Sequence, residues 1–313
     1  MLLAIDVGNT NIVLGVFEGD RLVESWRLAT DNNRSADEYG TIINSMFRYA
    51  KLDETVIDDV IISSVVPSLL FTLEHMCLKY YDKNPIVVEQ GIKTGIKIRY
   101  DDPRQLGADR IVNAVAAHTR YGGNLIIVDF GTATTFSCVS ADGVFLGGAI
   151  APGMKTQAAA LFEHTAKLPN VDLEIPASFI ARNTSEGMRS GLVFGHMGFT
   201  DYMINGMKQE MSEELGCRPE DIKVVATGGM ATMVESGVSC IDVIDRRLTL
   251  DGLQMLHEKV VAVPKSTMIR FPPYLVCAAT AFTIRSAPSW RGSSYLIFMP
   301  VFMPCSTTIG FLS

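Results

Sequence analysis

Two passages of this chain are near copies of one another, and that repeat constrains the fold more than any other feature. Residues 2–11 read LLAIDVGNTN and residues 125–135 read LIIVDFGTATT. Each is a short apolar run with strand character that ends in an aspartate, then x-Gly and small hydroxyl or amide residues. The stretches beyond these aspartates repeat as well. After Asp6 come two alternating runs, 12–17 and 21–28, joined by Glu18-Gly19-Asp20; after Asp129 come 135–140 and 144–150, joined by Ala141-Asp142-Gly143. Both pairs read as β-hairpins with a glycine near the turn to supply positive φ. A later buried strand completes each half: DDVIISSVVP at 58–67 and DIKVVATGGMA at 221–231. Three features in the same order predict a duplicated α/β domain.

The halves divide near residue 118, giving a first domain over 1–118 and a second over 119–259. Between its hairpin and its late strand the second half reads as helical, over 155–163 and again from 186 to about 215, the longer stretch broken by glycines. Asn183-x-x-Glu186 has the spacing of a capping box that starts it. Beyond 260 the composition changes. Residues 260–313 hold four basic residues, no Asp or Glu, and six of the thirteen prolines, whereas 1–259 carry 23 basic and 34 acidic residues. The break marks an atypical C-terminal tail in which proline disfavours regular structure. Its apolar clusters at 295–299 and 301–303 are an aggregation liability. A natural appendage and translation in an altered reading frame both account for so abrupt a loss of acids.

The net charge of −7 excludes a nonspecific nucleic-acid binder, which needs a basic face to replace counterions. Six scattered cysteines without a C-x-x-C pair, and five dispersed histidines, argue against a disulfide framework and a zinc site. The start MLLAID lacks the basic region of a signal peptide. No apolar run reaches the roughly 18 residues of a membrane span. The expectation is a reduced, soluble, cytoplasmic protein with no membrane partner.

The two Asp-x-Gly loops carry chemistry. Gly8, Asn9, Thr10 and Asn11 offer amide and side-chain donors to phosphate oxygens, and Asp6 suits Mg²⁺, a hard cation that bridges substrate phosphates. Asp129, Gly131, Thr132, Thr134 and Thr135 offer the same from the second half, so that facing loops would clamp a polyphosphate from opposite sides. The plainer reading is two hairpin turns with buried strand-end aspartates. Gly228 and Gly229, after a buried strand, permit close approach of a flat ring such as adenine or simply turn the strand into a helix. Asp109 in Gly107-Ala108-Asp109-Arg110 is either a helix cap or a general base accepting a hydroxyl proton, with Arg110 fixing an anion. No P-loop spacing G-x-x-x-x-G-K-[ST] occurs.

Residues 1 to about 259 resemble a type III pantothenate kinase, within the superfamily of acetate and sugar kinases, actin and heat-shock ATPases. The matching motifs are DVGNTN at 6–11, Tyr100-Asp-Asp-Pro103, GADR at 107–110, DFGTATT at 129–135, GGAIAPG at 147–153 and TGGMA at 227–231. The resemblance implies two ribonuclease H-like domains with ATP in the cleft between them, and phosphorylation of pantothenate as the first step towards coenzyme A. It implies ATP contacts from Asp6, Val7, Gly8, Asn9, Thr10, Asn11, Ile12, Val13 and Thr132, beside the glycines Gly228 and Gly229. It implies pantothenate contacts from Tyr100, Gly107, Ala108, Asp109, Arg110 and Thr184, with Asp109 as the catalytic base. Asp129 matches the ligand of a monovalent cation, K⁺ or NH₄⁺. Mg²⁺ and a homodimer are implied too. A kinase for another small hydroxyl or carboxylate substrate, and a non-catalytic nucleotide-binding regulator, are the competing readings; the regulator would need no base. The Met-rich stretch of Met188, Met197, Met203, Met207 and Met211 reads as core or dimer packing, and Thr184 by itself reads as part of the helix cap.

Overall fold

The computed structural model describes residues 1–89 and 91–262; the expectations for the tail beyond them lie outside the described residues. In the first half, β1 (Leu2–Val7), β2 (Asn11–Glu18) and β3 (Arg21–Ala29) form an antiparallel meander. Helix α1 (Ala36–Tyr49) comes next, started by a full capping box between Ser35 and Glu38. Then come β4 (Asp59–Ser64), α2 (Pro67–Tyr81) with proline in its first turn, and the two-residue β5 (Ile86–Val87). The sheet order is β3-β2-β1-β4-β5, with β4 parallel to β1.

The short β6 (Lys97–Ile98) leads to α3 (Ala108–Tyr121). The second half then repeats the pattern with β7 (Asn124–Phe130), β8 (Ala133–Val139) and β9 (Val144–Pro152). After α4 (Met154–Glu163) and α5 (Thr184–Leu215) come β10 (Ile222–Thr227), α6 (Ala231–Glu235), β11 (Val243–Ile244) and α7 (Leu248–Val261). This sheet reads β11-β10-β7-β8-β9-β6, the order of the first sheet with β6 added at its edge. The strand that closes the second sheet therefore comes from residues before 118.

Strand alternation decides what each sheet face buries. Leu3, Ile5 and Val7 turn to a core shared with Tyr39 and Ile43 of α1 and Leu69 and Leu73 of α2. Leu2 and Ala4 turn the other way, onto Val112 and Val115 of α3 and Leu250, Leu253 and Leu256 of α7. In the second sheet Ile126 and Val128 face Met197 and Ile204 of α5, while Leu125 and Ile127 face Ile111 and Ala114 of α3. Helices α3 and α7 thus form a central layer between two sheets. Sandwiched in this way, α3 is buried on every side, each residue from Arg110 to Ala117 included. The same alternation places Asp6 and Asp129, at even steps from Leu2 and Leu125, on the inward faces at the ends of their strands.

The expected breaks in the long helix are absent. α5 runs unbroken for 32 residues, anchored by Met188, Leu192, Val193, Met197 and Ile204. Asn183 caps it by accepting from the Glu186 N–H at 2.9 Å. Glu186 does not complete the reciprocal capping box; its carboxylate pairs with Arg189 at 2.6 Å.

Candidate active site

The ends of the two meanders and the start of α3 open onto one cleft of about 610 Å³. Asp6, Val7, Gly8, Asn9, Thr10, Asn11 and Val13 line it from the first half, and Asp129, Gly131, Thr132, Thr135, Gly228 and Gly229 from the second. The two loops meet: the Thr10 and Thr132 hydroxyls are 2.7 Å apart. Each loop is tied by its own backbone, Gly8 N–H donating to the Asn11 carbonyl at 3.0 Å and Gly131 N–H to the Ala133 carbonyl at 3.1 Å. Ile12 is the exception in its segment. Its side chain points into the core behind β1 and is 1% exposed.

Asp109 lines the same cleft. The cap position of α3 is held by Gly107, with no side-chain cap bond, so Asp109 is not the cap. One of its oxygens accepts the Arg110 N–H at 2.8 Å. Three carboxylates therefore share a floor: Asp6, Asp109 and Asp129. Burial, reinforced by the Asp109 and Asp129 charges, pushes Asp6 up to about 7. Burial and the Asp109 charge push Asp129 up to about 6, against a hydrogen bond from Asn113. Asp109 is raised as well, burial outweighing the Arg110 backbone N–H and guanidinium. Like charges crowded out of water hold protons tightly until a cation joins them.

The residues present fit cations. Asp6, Asp109 and Asp129 bring hard carboxylate oxygens to one cleft, the donors that Mg²⁺ takes beside phosphate and water oxygens, although among the described residues no three side chains stand close enough to hold an ion by themselves. Ser63, the partner of Asp6 in the parallel register, sets a fully buried hydroxyl beside the Asp6 carboxylate, where it works against the upward shift without reaching full hydrogen-bond geometry.

Other expected residues stand apart from the cleft. Arg110 is buried, its Nε donating to Ser137 Oγ at 3.1 Å and its Nη2 to the Phe136 carbonyl at 2.8 Å. Its guanidinium lies 5.2 Å over the Phe145 ring, on which Tyr100 also packs edge-on at 6.2 Å. Ala108 is buried in the central layer. Thr184 is the exposed first residue of α5. Within the cleft, Gly228, at φ +92°, leaves no room for a Cβ, which would stand 2.5 Å from Asp129 Oδ1, whereas Gly229 opens toward Arg27 of the opposite sheet.

Sequence reasoning missed the cations of the cleft, Arg27, Lys155 and Arg246. Lys155 lies in the first turn of α4, which Gly153 N–H and Thr156 Oγ1 fasten to the Thr132 carbonyl at 3.0 and 2.6 Å. Arg246 donates to Thr232 at 2.7 Å. Exposed cations have no periodic signature, and only the proximity of Lys155 to the GGAIAPG motif gave any hint.

A family model described as type III pantothenate kinase matches residues 2–206. A solved structure described as a conserved putative Baf family transcriptional activator from Campylobacter jejuni is similar at 19% identity. The match covers 83% of this chain and 100% of that one, with a TM-score of 0.52. A ROK family glucokinase from Streptomyces griseus, in complex with glucose and AMPPNP, is similar at 12% identity over 83% of this chain and 99% of that one, with a TM-score of 0.47. The likeness is one of fold, an α/β chain with two mixed sheets.

Proposed function

The chain belongs to the type III pantothenate kinase family, and from that premise we propose that it transfers the γ-phosphoryl group of ATP to the hydroxyl of pantothenate, giving ADP and 4′-phosphopantothenate. The observation that carries this reading is the convergence of both Asp-x-Gly loops and Asp109 on one cleft. Phosphoryl transfer asks a protein mainly for positioning and charge neutralisation around one proton acceptor. The side chains of Asn9, Thr10 and Asn11 and the Thr132 hydroxyl orient the phosphates from two sides, on loops whose Gly8 and Gly131 N–H groups close their own turns. Lys155, Arg27 and Arg246 add positive charge at the walls. Asp109, with one oxygen tied to the Arg110 N–H, takes the hydroxyl proton on the other, and its raised affinity for protons suits that task. Asp6 would hold Mg²⁺ and Asp129 a K⁺ or NH₄⁺ ion, which together neutralise the transferring phosphate.

The division into domains that goes with this reading is 1–118 and 119–259, two ribonuclease H-like units of which the second sheet takes β6 from the first and the first sheet takes its α7 cover from the second. The pantothenate group is assigned to the Gly107–Arg110 turn with Tyr100, and to Thr184, which lies outside the cleft. A homodimer is part of the same proposal, with the exposed glycines Gly187, Gly191, Gly195 and Gly198 of α5 as its candidate contact, and a soluble cytoplasmic enzyme is the setting proposed for it. Among the described residues no helix is long and apolar enough to cross a membrane.

A coupled assay for ADP release across pantothenate, acetate and hexoses tests the reading. Turnover on pantothenate is expected, with Asp109→Asn losing on the order of 10²–10⁴-fold in kcat while ATP binding is kept. Near-normal kcat in the folded variant removes Asp109 from the mechanism, and ATP binding without turnover on any substrate replaces the kinase with a regulator.

A further inference from the structure

Asp129 is held from outside its own loop. Its Oδ2 accepts a hydrogen bond from Asn113 Nδ2 at 3.1 Å. Asn113 lies one turn after Asp109 on α3 and is 3% exposed. Its Oδ1 accepts in turn from Thr249 Oγ1 of α7 at 2.8 Å. The amide has one orientation here: an ionised carboxylate only accepts, so Nδ2 must face Asp129, and Oδ1 is left for the hydroxyl.

Helix packing makes the second bond possible. At Gly252, one turn beyond Thr249, a Cβ would stand 2.5 Å from the Val112 carbonyl and 2.8 Å from Val112 Cγ1. Glycine lets α7 lie directly on α3, and that closeness brings Thr249 within reach of Asn113. Beyond this contact Arg120 of α3 pairs with Asp251 at 2.6 Å and with Asp245, fixing α7 along its length. Both Asp251 and Asp245 are buried.

We propose that Thr249 and Asn113 form a relay, from α7 through α3 to β7, that fixes the Asp129 carboxylate for the cation it would hold, which makes Asn113 its positioning residue. The inference rests on the reading of Asp129 as the monovalent-cation ligand. A carboxylate at a strand end turns freely about its last side-chain bond, and an ion that needs a particular oxygen loses affinity to that freedom. Outer hydrogen bonds that orient a ligand typically change metal affinity by about 10- to 100-fold when removed. One helix thus carries the proposed base and, a turn later, aims the carboxylate opposite it.

The test uses the full chain and three variants: Thr249→Val, which keeps the shape and removes the hydroxyl, Asn113→Leu and Asp129→Asn. Melting temperature is followed against KCl, with tetramethylammonium chloride holding the ionic strength, and kinetics are run over the same series. The relay predicts that Thr249→Val and Asn113→Leu each raise half-saturating K⁺ by about 10-fold in both measurements, with KM for ATP and pantothenate unchanged at saturating K⁺. Asp129→Asn should abolish the K⁺ response. A packing role alone would lower the melting temperature equally with and without K⁺, and that result overturns the relay while leaving Asp129 in place. A raised KM for ATP with normal K⁺ titration would make Thr249 a nucleotide contact and equally overturn it. If Asp129→Asn responds to K⁺ as the parent does, the cation reading falls and the relay with it. Should Asn113→Leu fail to fold, Thr249→Val decides.

Discussion

The charge crowded into the cleft has a cost that pH should reveal. Asp6, Asp109 and Asp129 titrate near 3.8 in an unfolded chain but are raised in the fold, Asp6 to about 7 and Asp129 to about 6. The native state therefore binds more protons than the unfolded state between about pH 4 and 7, and by linkage its stability falls as pH rises through that window. Without nucleotide and with chelator present, the melting temperature should drop from pH 5 to pH 8. Asp6→Asn should remove much of the drop and raise the melting temperature at pH 8; a parent profile flat over that range would show that the carboxylates do not repel. Saturating Mg²⁺ and ATP should flatten the parent curve too, since added cations compensate the same charge. These aspartates are legible in the sequence because each ends an apolar strand with a fixed spacing to glycine. The chemistry of Arg110 is not. A guanidinium beside a candidate base reads as an anion holder, yet here it is spent on Ser137, the Phe136 carbonyl and the Phe145 face.

At the level of elements, α5 raises a question that one chain does not answer. Gly187, Gly191, Gly195 and Gly198 lie exposed along it, and a Cβ added at any of them would meet nothing within 4 Å. Each interior glycine costs a helix about 1 kcal/mol relative to alanine, and no packing among the described residues repays it. The proposed homodimer supplies a reason, because glycine allows a second backbone to come close. Nearby surfaces add exposed Phe179 and Ile180, 75% and 86% accessible. Gly191→Leu should then split the dimer, read as a halved mass by size exclusion with light scattering, while the far-ultraviolet helix signal stays or rises. A dimer of undiminished affinity would place the interface elsewhere. The sequence misleads on this helix because glycine suggests a break, although the apolar residues on its buried face hold it straight through. The meanders are legible, since apolar or alternating runs of six to nine residues bounded by turn signals are a strong pattern. The two-residue strands β5, β6 and β11 are invisible to it: two residues carry no period.

For the molecule as a whole, the cleft and its supports, among the described residues, run to the end of α7. Lys259 donates to the Thr94 carbonyl at 3.3 Å, so the helix is used nearly to its last turn at Val261. A chain truncated after Ala262 should keep its specific activity and its oligomeric state and gain solubility, measured as activity per milligram, mass by light scattering and soluble yield. Lost activity would make the tail part of the working fold. The central layer has one more consequence, which concerns synthesis. The inner face of the first sheet, Leu2, Ala4, Phe17 and Ile61, is covered by Leu250, Leu253 and Leu256. A chain emerging from the ribosome thus completes its N-terminal sheet with β5, then leaves that face without its α7 cover until some 160 further residues have been made (Val87 to Leu250). Domain-by-domain folding during translation is the usual safeguard against aggregation. Here the N-terminal half is denied it, and nascent chains arrested before residue 248 should be held by chaperones and cut readily by protease, whereas those that have released α7 should resist.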